Sequence, residues 1–532
     1  MKFLFLFTLV LISTLLSVKS QTVYFDKTYN SPYDGTEYAT SVLHINGSGY
    51  LTIGFGKPKI SPPHWFTFLV MIDYDGDTIW QNVLIDTSVH FYPARNSLMK
   101  TQDGNCAYCG MKRFINKGSG AEDSTYASLV KIDLNGDTIW TKSYQFNGSN
   151  VNYIYDCAST NDNGFILCGF NIDTPSNKTD LYIIKTDQQG NLLWEQTYGG
   201  VAWEYANSIQ ETSDGGFILT GVVSKTIFDT VVYTERRLLV MKLDSTGNKV
   251  WDQYFDYYDF TSSTSSYVHE NVYGEYIVTS GYSPGGYLIN MDSMSVKGYA
   301  IKLNSSGNVV WQYSYFDTIN YWVDPFSGDT SITSYCSLGE VAVGLTDGSF
   351  VTVGESLTDS GYYGWLVKID NSGKLLWKHR FYKWQLKEDN IFKDIQSTPD
   401  GGFIICGDAS KNSQGLGGND FWLIKVDSFG CLVPNCISSI ATQPKSNLNI
   451  NVFPNPFSHS TILTISTISS ELAKNENYIL NIYNVLGTRV REIDVINLDQ
   501  VIIEKRNLKS GIYFLELLGD KGTRATGKIV IQ

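Results

Sequence analysis

Apolar and polar residues alternate with a period of two along most of the chain, and no helical period separates the alternating segments. An alternating segment such as ANSIQET leads into an Asp-Gly pair and then into an apolar run such as GFILTG. Asp-Gly pairs supply the positive φ that tight hairpins need. The pattern therefore predicts an all-β chain of short strands joined by hairpins.

Two linked motifs recur in register. The first is an apolar strand, a Gly-containing turn and a strand with Trp, and its Trp residues are 54 to 66 positions apart. Its copies end at Trp80, Trp140, Trp194, Trp251, Trp311 and Trp377. A seventh copy has Pro434 where Trp is expected. The second motif ends at Gly54, Gly110, Gly169, Gly221, Gly281, Gly354 and Gly407.

Each repeat contains four strand-like segments, which indicates a seven-bladed β-propeller. A single four-stranded sheet cannot bury both of its faces, whereas radial stacking buries each face against a neighbour. We expect the repeated Trp to pack between blades, because its large apolar surface favours burial.

The two ends of the repeat region are complementary. Residues 22–29, TVYFDKTY, resemble a fourth strand that lacks the three strands before it. The seventh unit, from about Phe392 to Ser428, has three strands and stops near Pro434. The N-terminal strand should therefore complete the seventh blade and cover its edge. The alternative is an open solenoid, which would leave that edge exposed.

The first 20 residues have the pattern of a signal peptide. Lys2 precedes an apolar run from Phe3 to Leu16, and Ser20 provides a small residue for cleavage. The alternative is a buried N-terminal helix. The run is shorter than the roughly 20 residues of a spanning helix, and no other segment approaches that length, so we expect no membrane span.

The remaining chain divides into three parts. The propeller is predicted for residues 21–437 and a polar linker for residues 438–450. Residues 451–532 contain six or seven short alternating strands, which predict a small immunoglobulin-like β-sandwich.

The sandwich resembles the type A C-terminal sorting domain of type IX secretion system cargo. The matching segments are FPNPF, NVLGTRV, LKSGIYFLEL and a final KIVIQ. The residues that carry the motif are Pro454, Asn455, Pro456, Gly487, Gly511 and Tyr513. The resemblance implies export through the periplasm to the surface or medium, with the type IX machinery as partner. The alternative is an ordinary immunoglobulin-like adhesion module.

Charge excludes one class of partner. The chain has 40 Lys plus Arg against 53 Asp plus Glu, a net charge of −13. Residues 21–444 carry 28 basic and 45 acidic residues, so their balance is −17. Such an acidic surface disfavours nucleic acid, and six His leave little material for a metal or catalytic centre. We expect no cofactor and a monomer.

Two local motifs resemble functional sites. DYDGD at Asp73 and DLNGD at Asp133 look like fragments of calcium loops, but the same slot elsewhere contains ordinary turns, and we favour turns. Gly281-Tyr282-Ser283-Pro284-Gly285 matches a hydrolase elbow, which needs a helix after the turn. A strand-like segment follows here, so we interpret it as a loop.

Eight Cys in an exported chain permit disulfides. We predict one between Cys431 and Cys436, which flank a short turn. Cys109, Cys168 and Cys406 are expected as small core residues. Cys157 and Cys168 face each other across a turn as a second candidate pair, or as packed thiols.

The variable loops lie on the propeller face opposite the short Asp-Gly turns. They include residues 55–66, 111–126, 257–269 and 317–335. The aromatic candidates for ligand binding are Trp65, Trp203, Tyr257, Tyr258, Trp322 and Trp384. The alternative is that these side chains only pack their own loops.

Two functions remain open. The first is a non-enzymatic surface or secreted propeller that binds a glycan or protein. The second is a secreted hydrolase or lyase with a site in the central funnel. Carboxylates that converge at the funnel mouth would favour the enzyme, and an aromatic platform without them would favour binding.

Overall fold

The computed structural model consists of strands, turns and loops, and its described residues contain no helix. It describes residues 23–33, 35–59, 65–86, 88–115, 124–146, 149, 151–173, 178–200, 203–226, 234–257, 265–282, 295–315, 320–323, 330–358, 361–383, 389–410, 418–433, 448–467, 478–484, 489–495, 500–519 and 522–532. The chain divides into two compact units, Met1–Ser438 and Ser439–Gln532.

The first unit contains the strands β1 to β31. They are β1 (Phe25–Tyr29), β2 (Thr36–Ile45), β3 (Gly49–Lys57), β4 (Phe66–Ile72), β5 (Thr78–Ile85), β6 (Val89–Pro93), β7 (Met99–Lys100), β8 (Cys106–Phe114), β9 (Ser124–Ile132), β10 (Thr138–Tyr144), β11 (Asn152–Ser159), β12 (Phe165–Asp173), β13 (Lys178–Thr186), β14 (Leu192–Tyr198), β15 (Trp203–Glu211), β16 (Phe217–Thr226), β17 (Thr234–Leu243), β18 (Lys249–Tyr257), β19 (Ser266–Glu270), β20 (Tyr276–Tyr282), β21 (Ser295–Leu303), β22 (Val309–Tyr315), β23 (Asn320–Val323), β24 (Thr330–Ser337), β25 (Ala342–Gly344), β26 (Phe350–Thr358), β27 (Gly361–Ile369), β28 (Leu375–Phe381), β29 (Asn390–Ser397), β30 (Phe403–Ser410) and β31 (Asn419–Val426).

These strands pair with their sequence neighbours into antiparallel groups. Strands β2–β5, β6–β10, β11–β14 and β15–β18 each form one sheet, and β19–β22 and β23–β28 form two further groups. The last two groups are joined by a short parallel pairing of β21 with β24. Together with the group that contains β1, the described strands form seven groups, one for each sequence repeat.

The N-terminal strand belongs to the last group. β1 pairs antiparallel with β31, in the order β1-β31-β30-β29, with Phe25 opposite Lys425 and Tyr29 opposite Phe421. The expectation that the N-terminal strand supplies the missing outer strand is confirmed. The ring is thus closed by residues almost 400 positions apart, and the edge of β31 is covered.

The repeated Trp residues lie between neighbouring groups, as expected. Each one covers the Gly of the turn before the fourth strand of the next group. A Cβ on Gly136 would lie 2.7 Å from the Trp80 ring, and one on Gly190 would lie 2.9 Å from the Trp140 ring. Both glycines also have φ near +80°. The same contact recurs between successive groups, which explains why one motif contains both Trp and Gly.

An ion pair between a buried lysine and a more exposed carboxylate links the two sequence motifs inside most groups. The Lys of the third strand contacts the acidic residue of the hairpin between the first and second strands. The Nζ–O distances are 2.7 Å for Lys131–Asp103, 2.7 Å for Lys185–Asp162, 2.9 Å for Lys242–Asp214, 2.5 Å for Lys302–Glu275 and 2.8 Å for Lys425–Asp400. The acidic residue of this hairpin, an Asp in four of these pairs and Glu275 in the fifth, therefore neutralises a lysine that the sheet packing buries.

The calcium-like segments are turns. Asp73 Oδ1 accepts hydrogen bonds from the backbone N–H groups of Asp75 and Asp77, at 3.0 and 2.8 Å. Asp133 Oδ1 accepts the equivalent pair from Asn135 and Asp137, both at 2.9 Å. This turn geometry agrees with the preferred interpretation, and the expectation that these segments bind no calcium stays a prediction. In the hydrolase-like motif, Gly281 and Tyr282 belong to β20, and Ser283, Pro284 and Gly285 lie outside the described residues.

Two of the groups have an interrupted innermost strand. In the second group the first strand is split into β6 and β7, and in the sixth it is split into β24 and β25. The breaks contain residues 94–98 and 338–341. The stretch 317–335, expected as a loop, contains β23 and most of β24, which pair with each other. The repeated motifs did not predict this hairpin, because both of its strands lie in a segment that connects one copy of the motifs to the next.

One disulfide differs from expectation. Cys109 of β8 is bonded to Cys157 of β11, with a Cα–Cα distance of 6.3 Å, so Cys109 is not an unpaired core residue. Cys157 lies opposite Leu167, whereas Cys168 lies opposite Asp156. Since side chains alternate across a sheet, Cys157 and Cys168 point to opposite faces and cannot pair.

The other cysteines follow two patterns. Cys106, Cys168, Cys336 and Cys406 are buried free thiols, which confirms the core role expected for Cys168 and Cys406. Cys431 is buried and carries no free thiol. Its predicted partner Cys436 lies outside the described residues, so the Cys431–Cys436 bridge stays a prediction.

The second unit is a sandwich of two antiparallel sheets. Its strands are β32 (Leu448–Phe453), β33 (Ser460–Thr467), β34 (Tyr478–Tyr483), β35 (Arg489–Val495), β36 (Gln500–Glu504), β37 (Gly511–Gly519) and β38 (Gly522–Ile531). One sheet has the order β32-β33-β36 and the other β35-β34-β37-β38. Inward side chains of both sheets, among them Leu463, Leu480 and Leu515, form one core.

The predicted boundaries fall partly outside the described chain. The signal peptide and residues 434–447 are not described, so residues 1–20 and most of the linker stay predictions. Strand β32 begins at Leu448, three residues before the predicted domain start. Within the described ranges, no helix has the length and apolar character to cross a membrane.

Candidate functional site

A cavity of about 770 Å³ lies within the propeller. Its walls come mainly from the beginnings of the innermost strands and the ends of the second strands. The lining residues are Thr40, Phe55, Tyr92, Pro93, Ala94, Arg95, Asn96, Met111, Val151, Tyr153, Ile154, Tyr155, Asp156, Phe170, Ile172, Thr179, Trp203, Tyr205, Asn207, Ser265, Ser266, Tyr267, Gly339 and Glu340. In an antiparallel blade those strand ends meet the connections that vary between repeats, so the cavity lies on the side of the variable loops.

Aromatic side chains form much of the wall. Tyr153 and Phe170 are stacked with ring centroids 4.7 Å apart, and Tyr155 lies 5.6 Å from Phe170. Tyr205 continues the row at 6.4 Å from both Tyr155 and Phe170. Trp203, at the start of the same strand as Tyr205, is 45% exposed. The result is an apolar wall whose tyrosines also present hydroxyl groups.

A second aromatic group lies on the first and second groups of strands. Phe55, Trp65 and Tyr92 are mutually in contact, with ring centroids between 5.5 and 5.7 Å apart. Phe55 and Tyr92 line the cavity, whereas Trp65 packs behind them and below the ammonium group of Lys57. Two aromatic surfaces therefore face the same space.

An ion pair crosses the channel between the interrupted strands. Arg95 Nη1 and Glu340 Oε2 are 2.7 Å apart, with Arg95 from the break before β7 and Glu340 from the break before β25. Lys393 and the hydroxyl of Ser265 also approach Glu340, at 3.5 and 3.4 Å. The carboxylate of Glu340 raises the pKa of the Arg95 guanidinium, because it stabilises the charged form.

Buried carboxyl groups hold neighbouring blades together around the channel. Asp394 of β29 accepts hydrogen bonds from the Ser41 hydroxyl and the Val42 N–H of β2, both at 2.8 Å. Asp156 of β11 accepts one from the Ile209 N–H of β15 at 3.0 Å. Burial raises the pKa of Asp156 to about 8 and that of Asp394 to about 7. Both carboxyl groups are thus occupied by inter-blade contacts.

The predicted ligand-binding aromatics are only partly brought together. Trp203 lines the cavity and Trp65 supports its wall. Tyr257 and Trp322 belong to β18 and β23, but their side chains are not described. Tyr258 and Trp384 lie outside the described residues. The role of all six in ligand binding stays a prediction.

Several lining residues were not named as binding candidates. The structure places Phe55 and Met111 on strands β3 and β8, although they begin the segments 55–66 and 111–126 that were expected as loops. Phe55, Met111 and Phe170 directly follow Gly54, Gly110 and Gly169 of the second repeated motif. Their shared position after that Gly could have identified them as neighbours in space, since equivalent positions of a propeller face the same region. Arg95 and Glu340 gave no such signal, because the strand breaks that position them occur in only two repeats.

No metal centre emerges from the described part of the chain, where no group of three His, Cys, Asp or Glu side chains is arranged to hold an ion.

The FPNPF segment of the second unit is tied to the last strand. Asn455 Oδ1 accepts a hydrogen bond from the Val530 N–H at 2.8 Å, and Asn455 Nδ2 donates one to the Lys528 carbonyl at 2.9 Å. Phe457 is 3% exposed and enters the sandwich core. Its N–H donates to the Val530 carbonyl at 3.0 Å. The FPNPF and KIVIQ segments are thus one structural element in space.

Other motif residues have separate roles. Tyr513 is buried, and its hydroxyl donates a hydrogen bond of 2.8 Å to the Lys509 carbonyl. Gly511 has φ of +152°, in a region that favours glycine. Pro454 and Pro456 follow Phe453 and Asn455 through cis peptide bonds. Gly487 lies outside the described residues.

Residues 451–532 match the family described as secretion system C-terminal sorting domain. They are a type IX sorting domain. The sorting domain directs the chain to the cell surface or the medium and points to export by the type IX secretion machinery. The match confirms the resemblance that the FPNPF to KIVIQ order carried.

At low sequence identity, the chain is also similar to several solved structures. It is similar to the β-propeller domain of the trilobed protease from Pyrococcus furiosus, at 10% identity and a TM-score of 0.39, over 79% of this chain and 100% of that one. It is also similar to a polysaccharide lyase of family PL25, an ulvan lyase, at 9% identity and a TM-score of 0.43, over 76% and 97% of the two chains.

A third relative is a protein of unknown function from Bacteroides caccae, at 11% identity and a TM-score of 0.34, over 60% of this chain and 91% of that one. Likenesses this distant carry no argument about activity. No curated protein matches the chain.

Proposed function

We propose that the protein is an exported glycan-binding module, with the aromatic-lined cavity of the propeller as its binding site. The observation that carries the proposal is the pair of aromatic surfaces facing one space of about 770 Å³. Cavities of this size hold small ligands and oligosaccharide segments. Sugar rings present apolar C–H faces, which stack on aromatic rings, and hydroxyl edges, which need hydrogen-bond partners.

The wall chemistry supports a binding role over an enzymatic one. Asp156 and Glu340 are the carboxyl residues of the described cavity wall. Asp156 is 2% exposed and holds an inter-blade contact, and Glu340 is paired with Arg95. Acid–base catalysis on a sugar requires carboxyl groups that reach the reacting atoms. Their engagement in the scaffold therefore favours recognition without cleavage.

The proposal is tested by applying the purified protein to an array of glycans. We expect binding to a subset of glycans, and we expect Trp203→Ala to weaken it about tenfold or more, the usual cost of losing an exposed aromatic anchor. Tyr382→Ala removes an aromatic that is 61% exposed and not part of the cavity wall, so its binding should equal that of the unaltered protein.

The same experiment separates the alternatives. Capture of a protein ligand with no glycan bound would support a protein-binding propeller instead. Mass spectrometry of the bound glycans after incubation would reveal shortened or unsaturated products if the protein is a hydrolase or lyase. Loss of binding in Tyr382→Ala equal to that in Trp203→Ala would refute the cavity as the site.

A further inference from the structure

The Arg95–Glu340 pair joins blades that are far apart in the ring. Arg95 belongs to the second group of strands and Glu340 to the sixth, which are three positions apart in a ring of seven, the greatest separation that the ring allows. Their side chains nevertheless meet at 2.7 Å. The pair therefore bridges the channel, and both of its residues line the cavity.

The pair remains available to a ligand on one side. The Glu340 side chain is 6% exposed, whereas that of Arg95 is 42% exposed. Among the residues that the structure describes, Arg95 donates one side-chain hydrogen bond, to Glu340. A guanidinium has five N–H donors, so donors remain for an occupant of the cavity.

The local charge favours an uncharged occupant. Glu340 and Glu355 both act on the charge of Arg95, and among the described residues Lys393 is the second cation within 4 Å of Glu340. An acidic group on the ligand would meet these carboxylates within the propeller, whose overall balance is strongly acidic. A neutral sugar avoids that repulsion, and its neighbouring hydroxyls can accept from the guanidinium and donate to the carboxylate.

We infer that the cavity recognises the terminal, uncharged monosaccharide of a glycan, with the Arg95–Glu340 pair binding its hydroxyl groups. An ion pair that bridges the channel obstructs a glycan chain that continues past it, whereas a chain terminus can stop against it. The aromatic walls then stack on the faces of the first one or two sugar rings. This inference rests on the proposed glycan binding and specifies which part of the glycan is bound.

The test uses the full chain and three neutral polysaccharides, a glucan, a mannan and a galactan, each intact and partly hydrolysed. Each sample is compared by its potency, per gram of sugar, as an inhibitor of glycan binding to the protein. Terminal recognition predicts that this potency rises in proportion to the number of chain ends that hydrolysis creates. Capping the fragments with a terminal uronate should lower their potency about tenfold or more.

Two variants address the residues. Glu340→Gln should weaken binding of the hydrolysed fragments by about tenfold, the cost of one hydrogen bond to a charged group, and should reduce the penalty for the uronate cap. Asp252→Asn is a matched control, because it removes a carboxylate from the exposed Lys249–Asp252 pair on the outer strand β18. Its binding should match that of the unaltered protein.

The outcomes are distinguishable. If a polysaccharide binds with the same potency per gram before and after hydrolysis, the protein binds chain interiors, and terminal recognition is wrong while glycan binding stands. Preference for uronate-capped fragments would refute the charge argument in the same way. If no glycan binds, the proposed function fails together with this inference. The polysaccharide comparison uses the unaltered protein, so it holds even if Glu340→Gln does not fold.

Discussion

The hydroxyl of Tyr29 donates a hydrogen bond of 2.7 Å to the carbonyl oxygen of Gly76, although one belongs to the N-terminal strand and the other to the first complete blade. Equivalent bonds join Tyr144 to Gly190 and Tyr315 to Gly373, both at 2.7 Å. Phe25, four residues before Tyr29, covers Gly76 as the Trp residues cover their own glycines. The closing interface thus has the same construction as the interfaces between consecutive blades.

Tyr29→Phe should therefore destabilise the ring. The change removes a buried hydrogen bond and leaves the Gly76 carbonyl without it, which costs about 1–2 kcal/mol. Urea unfolding followed by tryptophan fluorescence measures the loss. Tyr382→Phe serves as control, since Tyr382 is 61% exposed and should change stability little. Equal stability of both variants would show that this contact does not hold the ring closed.

The Cys109–Cys157 bond should stabilise the interface between the second and third blades. It closes a loop with a sequence separation of 48 residues, for which chain entropy predicts a stabilisation of about 2–4 kcal/mol. The double variant Cys109→Ala with Cys157→Ala should unfold at lower urea concentration by that amount. Reductant should lower the stability of the unaltered protein by more than that of the double variant, which retains the predicted Cys431–Cys436 bridge.

A matched control for the disulfide is Cys168→Ala, which removes a buried free thiol from the neighbouring interface. Its cost is that of a small cavity, about 1 kcal/mol. If Cys168→Ala proves as harmful as the double variant, the loss reflects packing, and the bond itself contributes little.

Stability should fall as pH rises through neutrality. Burial raises the pKa of Asp156 to about 8 and those of Asp394 and Asp408 to about 7, from 3.8. A raised folded pKa means that the folded state holds a proton that the unfolded chain has lost. This contribution is fully present below about pH 4 and is lost as pH rises through 7 to 8.

Asp394→Asn should flatten this dependence by about a third, since it removes one of three groups with similar shifts. The measurement is the free energy of unfolding at pH 5, 7 and 9. Asp252→Asn, at an exposed pair, should leave the slope unchanged. A slope that is equally steep in Asp394→Asn would mean that its carboxyl group does not titrate in this range.

Removal of residues 445–532 should abolish export but leave the propeller folded. The sorting domain has its own core of twelve buried residues, so its loss should leave the melting temperature of the propeller unchanged. In the native host the truncated protein should accumulate in the periplasm. Fusion of residues 445–532 to an exported reporter provides the converse test. Normal secretion of the truncated chain would contradict the sorting role.

Within the sorting domain, Phe457→Ala should unfold the sandwich. Phe457 is 3% exposed and joins the FPNPF segment to the core, and such truncations cost about 3–5 kcal/mol. Thermal unfolding should then show an earlier transition for the sorting domain and an unchanged one for the propeller. Phe453→Ala is the control, since Phe453 is 81% exposed in the same motif.

The repeat pattern was sufficient to predict the blades and their closure. The copies share the same local sequence features, namely a Gly with positive φ in the turn, alternating apolar residues in the strands and, in six of the seven copies, a Trp at the interface. These effects act between residues within one repeat or between consecutive repeats, so they are visible as periodicity. The missing fourth strand and the extra N-terminal strand likewise complement each other in the sequence itself.

The cavity was decided by tertiary structure. Arg95 and Glu340 meet only because two inner strands are interrupted and the ring brings distant blades face to face. The Cys109–Cys157 bond depends in the same way on which faces of two sheets meet. Sequence periodicity shows the features that every blade shares. The cavity is lined by residues at positions where individual blades differ from the repeat. Those residues come into contact only when the ring closes.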